Sequence, residues 1–365
     1  MLYFLFEEVQ FLTPAQVLLL RNVLAAVAAF AAALVFGYWL VGFFRVRRVL
    51  ENAENPDSER LSDLHRCKNE TPTMGGFIFL VALFSATLFF ARLDNRFVWT
   101  VLAAMVVLAA VGFLDDYVKL SFPGRKGITA RLKLAVQLSL GLGLGAYLYW
   151  MPLHANPEVA TGIWWPFGGF LSTESGYWTL GVLFIPFCAL VVAGSSNGVN
   201  LTDGLDGLAM GCAVLVSLPL AVVAFLQSPD TVGVGLPAIS GAGELSVVAS
   251  AMVGAGLGFL WFNCHPARIF MGDTGALPLG GGLGILAVIL KQEVLFLIVS
   301  GVFVLETLSV ILQVGFFKLR RKRIFLCAPL HHHFQFKGWP ETRVTMSFWI
   351  ASALFATLSV LTFVI

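Results

Sequence analysis

The chain reads as an all-α integral membrane protein on three observations: an apolar majority, a series of uncharged runs of spanning length, and basic residues crowded into alternate loops. Of its 365 residues, 58% are hydrophobic and 12% charged, with a mean hydropathy of +0.86. A soluble domain is about half apolar and about a quarter charged. A bilayer core of about 30 Å takes roughly 20 apolar residues as a helix, which satisfies its own backbone hydrogen bonds. Strands of a membrane barrel would alternate apolar with polar residues, and these runs do not.

The first run, 15–44, follows "MLYFLFEEVQFLTP". Glu7, Glu8 and the lack of an early Lys or Arg do not fit a cleaved signal peptide, so this stretch is read as mature sequence. Runs at 73–91, 97–114, 134–150, 178–194, 207–226, 245–262, 275–290, 294–317 and 343–365 bring the expectation to ten transmembrane helices in one polytopic domain, 1–365. The runs 178–194 and 275–290 are short for a full span. No fixed-period repeat and no strands are expected.

The segments 45–72, 115–133, 195–206, 263–274 and 318–343 hold 19 of the 23 Lys and Arg, which makes them the cytoplasmic loops and puts both termini on the periplasmic side. Outside, 151–177 is the longest connection, and Trp164, Trp165, Tyr177 and Trp178 read as an interfacial aromatic belt. The five cysteines are scattered without a CxxC pair, against a disulfide framework or zinc ribbon. No nucleic-acid partner is expected; the environment is membrane lipid.

Five polar groupings remain, all on the inner set: "HRCKNETPTMGG", "DDYVK" with "RKGITARLK", "NGVNLTDGLDG", "NCHPARIFMGDTG" and "APLHHHFQFKGW". Asp115 and Asp116 end eighteen uncharged residues, a rise of roughly 27 Å, which brings them to the far interface as either a solvated helix end or a site. Asp273 before the eighth helix, and Asp203 and Asp206 before the sixth, are candidate caps or ligands. Five Asp on one face, among basic residues, suit a hard cation such as Mg²⁺ that keeps part of its shell for substrate phosphate. His331, His332 and His333 are adjacent and point apart, which disfavours one shared zinc ion. Glu306, within the ninth run, is the one acidic residue inside a span, a catalytic group or a partnered structural one.

The strings "TPTMGG", "GFLDDYVK", "KGITARLK", "NLTDGLDGLA", "FNCHPARIFMGDTGAL", "ETLSVILQVGFFK" and "PLHHHF", in that order, resemble the phospho-N-acetylmuramoyl-pentapeptide transferases of the polyprenyl-phosphate N-acetylhexosamine-1-phosphate transferase superfamily. The resemblance implies ten helices, a cytoplasmic active site in the bacterial inner membrane, and Mg²⁺. It implies transfer of the phospho-sugar-peptide from UDP-N-acetylmuramoyl-pentapeptide to undecaprenyl phosphate, giving lipid I and UMP, and suggests a homodimer. Carried over motif by motif, Asp115, Asp116, Asp273, His331 and His332 are catalytic, with Asp273 the metal ligand. Lys68, Thr73, Lys119, Lys126, Lys133, Asn200, Asp203, Asp206, Phe270, Gly272 and His333 are substrate contacts. Glu70, Gln335 and Ser347 depart from the family pattern. The nearest rival is an N-acetylglucosamine-1-phosphate transferase; a transporter, with ionisable residues at mid-membrane, is more distant.

Overall fold

The structure, a computed structural model, describes residues 12–47, 49, 71–122, 125, 127–152, 156–165, 176–231 and 238–361. All ten apolar runs are helical, as α1 (Pro14–Arg47), α2 (Gly76–Phe90), α3 (Arg96–Ser121), α4 (Ala130–Trp150), α6 (Phe184–Thr202), α7 (Leu208–Leu226), α8 (Ala242–Asn263), α9 (Asp273–Ile289), the pair α10 (Glu293–Val299) and α11 (Gly301–Arg320), and α13 (Glu341–Leu361). Short helices α5 (Pro157–Thr161) and α12 (Leu330–Phe336) lie between. Among the described residues, seven helices are long and apolar enough to cross a membrane, and α2 and α9 are shorter apolar helices.

Several expectations change. The ninth run is two helices that meet at Ser300. The 151–177 connection carries a two-stranded antiparallel hairpin, β1 (Gly162–Trp164) with β2 (Tyr177–Thr179), on which Trp165 and Trp178 stack with centroids 5.1 Å apart. Of the expected belt residues, Trp164, Tyr177 and Trp178 thus lie on the hairpin strands and Trp165 just beyond β1. The 195–206 loop is mostly helix, because α6 continues to Thr202.

The core is organised around α9, "DTGALPLGGGLGILAVI", every residue of which is buried. It packs against α3 and α6, while α8 packs against α1, α7 and α2. Lipid tails are as apolar as leucine, so helices in a bilayer associate through close backbone approach at small residues. Gly76 lies against the Gly275 backbone, Gly112 against the Asp273 carbonyl and Gly280 against Ser195, so a Cβ at any of the three would meet main chain.

Arg21 of α1 pairs with Glu244 of α8 at 2.5 Å and donates to the Phe90 carbonyl, closing one end of the bundle. The elbow between α9 and α10 buries Lys291 and Glu293, 4.0 Å apart, with the ammonium 3.7 Å from the Phe184 ring centroid. At the opposite end converge the last turns of α3 and α6 and the first turns of α4 and α9.

Candidate active site

That convergence collects Asp115 and Asp116 from α3 and Asp273 from α9. The helix does not stop at the aspartate pair; α3 runs on to Ser121, and both side chains are buried. The reading of a solvated helix end is therefore overturned, because α9 and the 127–133 segment cover that face. One carboxylate oxygen from each of the three lies within 4.8 Å of the others.

Two lysines hold these like charges together. Lys119 Nζ is 2.7 Å from Asp115 Oδ2, 3.7 Å from Asp273 Oδ1 and 3.9 Å from Asp116 Oδ1. Lys133 Nζ bridges Asp115 Oδ2 at 2.9 Å and Asp273 Oδ2 at 2.5 Å. Asn200, on the last turn of α6, donates to Asp273 Oδ1 at 2.8 Å. Ile128 N donates to Asp115 Oδ1 at 2.8 Å, and the adjacent Gly127 has φ +90°; a Cβ there would strike the Asp115 carboxylate. Glycine is required in "KGIT" on both counts.

Asp116 has a different set of partners. Its Oδ1 accepts from Asp273 N at 3.2 Å, and its Oδ2 accepts from Thr274 N at 2.9 Å and Thr274 Oγ1 at 2.7 Å. Asp116 thus caps α9 from another helix, satisfying N–H groups that have no intrahelical acceptor. Asp273 is the first residue of that helix and follows Gly272, whose φ is +69°; a Cβ on Gly272 would come 2.5 Å from Asp116 Oδ2. Asp273 therefore does not cap its own helix, and its carboxylate is directed to Lys133 and Asn200.

The "TPTMGG" stretch lies alongside "IFMG". Phe270 N donates to Pro72 O, Gly75 N to Phe270 O and Gly76 N to Met271 O, so Thr73 is buried beside the segment that carries Phe270 and Gly272. Lys68 and Lys126 lie outside the described residues.

Asp203 is the C-cap residue of α6, and the N-cap residue of α7 is Gly207, so neither Asp203 nor Asp206 occupies the N-cap position of the next helix. Asp206 is buried; its Oδ2 accepts from Ala267 N at 3.0 Å and meets His265 Nδ1 at 3.1 Å, and its N donates to Glu341 Oε1 at 2.8 Å. His265, Glu341 and Thr274 were not expected from the sequence. His265 stands in the quoted "NCHPAR", whereas nothing local marks Glu341.

The three histidines take three different partners, but they do not all point apart as expected: on the tight turn of α12 the His331 and His332 rings pack together, centroids 4.1 Å apart. His331 is fully buried against Glu306, His332 Nδ1 meets Gln335 Oε1 at 2.8 Å, and His333 Nδ1 accepts from Leu326 N at 3.1 Å. Gln335, a departure from the family pattern, thus still partners His332. Burial, and after it Lys337, pushes the His333 imidazole below its ordinary range, which keeps Nδ1 free to accept. Near Val199, next to Asn200, an apolar cleft of about 400 Å³ opens between α6, α10 and α11; Leu190, Phe296, Leu297 and Phe303 line it, and Glu293 is its one charged lining residue.

Comparison with known proteins identifies the family. Residues 98–291, which span the aspartates and Asn200, match the model of Glycosyl transferase family 4. The chain is 41% identical over 364 residues to the phospho-N-acetylmuramoyl-pentapeptide-transferase of Desulforapulum autotrophicum, covering 99% of this chain and 98% of that protein. It is 42% identical over 365 residues to the protein of that name from Citrifermentans bemidjiense (99% and 96%), and 41% over 383 residues to that of Koribacter versatilis (99% and 99%). With identity of this level along both full lengths, the chain belongs to the phospho-N-acetylmuramoyl-pentapeptide transferase family.

Proposed function

We propose that this protein transfers phospho-N-acetylmuramoyl-pentapeptide from its UDP carrier to undecaprenyl phosphate, giving lipid I and UMP, on the cytoplasmic side of a bacterial inner membrane. The observation that carries the reading is the cluster of three carboxylates and two lysines at the end of apolar helices, where a membrane-held phosphate and a water-borne diphosphate can meet. The basic loops around it support a cytoplasmic orientation with ten spans and both termini outside. The apolar cleft beside Val199 suits the prenyl chain of the acceptor.

Mg²⁺ fits the donor set. Asp115 and Asp273 offer hard oxygen donors around a point now taken by the Lys133 ammonium, with that of Lys119 2.7 Å from Asp115, so positive charge is favourable there. Asp273 would hold the ion with Asp115 beside it, and the ion would neutralise diphosphate charge. The other roles belong to the chain. Lys119 and Lys133 donate to the transferring phosphoryl oxygens, Asn200 orients the Asp273 carboxylate, and Asp116 fixes the first turn of α9 so that Asp273 is aimed in advance. Asp203, Asp206, Phe270, Gly272 and Thr73 line the approach for the nucleotide. A phosphate monoester with a second pKa of about 6 is already mostly dianionic at neutral pH, so proton removal by Asp115 gains little. Its ion pairs with both lysines support a role in positioning.

Product formation by purified protein from UDP-N-acetylmuramoyl-pentapeptide and undecaprenyl phosphate, with and without Mg²⁺, tests the reading; UDP-N-acetylglucosamine as the preferred donor would refute it. Exchange of labelled UMP in delipidated protein tests the direct route, since robust exchange without acceptor requires a covalent aspartyl intermediate.

A further inference from the structure

Glu306 and His331 are both fully buried, on α11 and α12. Glu306 Oε2 accepts from Leu330 N at 2.7 Å, and Oε1 accepts from His331 N at 3.1 Å and faces His331 Nδ1 at 3.3 Å. These are the first two N–H groups of a seven-residue helix, so one carboxylate sets where α12 begins. With Nδ1 on this carboxylate, Nε2 is the ring nitrogen left for another contact.

That Nε2 is buried and has no hydrogen-bond partner among the described residues. It lies instead against Gly204: a Cβ there would press on Nε2 and come 3.1 Å from Cε1, with no main-chain atom among its nearest neighbours. Gly204 stands in the turn between Asp203 and Asp206. The far end of that turn is tied down, by Asp206 N to Glu341, Ala267 N to Asp206 Oδ2, and Gly207 N to Asn263 Oδ1 at 3.2 Å. The near end meets the imidazole.

We propose that Glu306 and His331, in place of the catalytic role that the resemblance implies for His331, are a positioning pair that fixes the 203–206 turn, and through it the affinity for the nucleotide, without touching the reacting atoms. The inference rests on the reading of Asp203 and Asp206 as nucleotide contacts. The imidazole seats directly on the glycine that separates Asp203 from Asp206, so the position of the ring and the course of the turn are coupled.

The test uses full-length protein in detergent, varying UDP-N-acetylmuramoyl-pentapeptide at saturating undecaprenyl phosphate, with UMP binding measured separately by calorimetry. Glu306→Gln is expected to raise KM and weaken UMP binding by about 5–10-fold, the effect of about one hydrogen bond, and to leave kcat within about twofold. Gly204→Ala, whose added methyl has three imidazole atoms as its nearest neighbours, is expected to do the same. A fall in kcat with KM and UMP affinity intact would overturn the proposal in favour of acid–base work by His331. Unchanged values in both variants would overturn it too. If Glu306→Gln does not fold, Gly204→Ala is judged by the same criteria. Wild-type protein that binds UMP but makes no lipid-linked product refutes the transfer reading, while the UMP measurements still decide the pair.

Discussion

Asp116 and Asp273 are both aspartates in glycine-flanked or paired motifs, and their surroundings divide the work. Asp116 gives both oxygens to the start of α9, and Asp273 gives both to Lys133 and Asn200. Asp273→Asn is expected to lower lipid I formation by about 100-fold or more, since it removes a charge from the phosphate site. Its melting temperature should stay near that of the wild type, as Lys119 and Lys133 keep Asp115. Asp116→Asn turns an acceptor into an amide donor facing Thr274 N, and is expected to cost about 3 kcal/mol of stability as well as activity. Thermal unfolding beside the assay separates the two; Asp116→Asn with wild-type stability would contradict the cap. Both aspartates, Lys119 and Lys133 were legible as motif members. Thr274 as a partner was not, because it is brought to Asp116 from 158 residues along the chain.

At the level of the helices, glycine spacing carries the docking of α9. Gly112 sits on the Asp273 carbonyl, and a Cβ there would also come 2.7 Å from Thr274 N, with no room to yield because the obstacle is main chain. Gly112→Ala is expected to destabilise by about 3 kcal/mol and to lower activity by shifting Asp273. Gly143 on α4 meets nothing within 4 Å, so Gly143→Ala should be neutral or stabilising by up to about 1 kcal/mol. Equal effects of the two substitutions on the unfolding midpoint would show that α9 does not depend on this contact. Helix existence and approximate bounds were readable from apolar runs. The break at Ser300 and the hairpin at Gly162–Thr179 were not, since an apolar run looks the same whether its helix is whole or broken, and three-residue strands leave no period.

For the whole molecule, the native cysteines test the orientation. Cys264 is exposed and Cys327 half-buried near the active-site end, while Cys188 and Cys212 are buried. A membrane-impermeant maleimide is expected to spare Cys264 and Cys327 in intact cells and to label Cys264 in inside-out vesicles; labelling from outside would reverse the topology. Burial first, and Asp206 after it, raise the Cys264 thiol above its ordinary pKa, so less thiolate is present at neutral pH and the labelling rate should climb as pH rises. The apolar helices and the family were legible in contiguous sequence, because spanning length and motif order are local properties. Contacts between distant segments decided which carboxylate caps α9 and which meets Lys133 and Asn200, what Glu306 holds, and why three histidines serve three partners. Those outcomes depend on which helix ends share one interface, and that is set by the packing of small residues around α9.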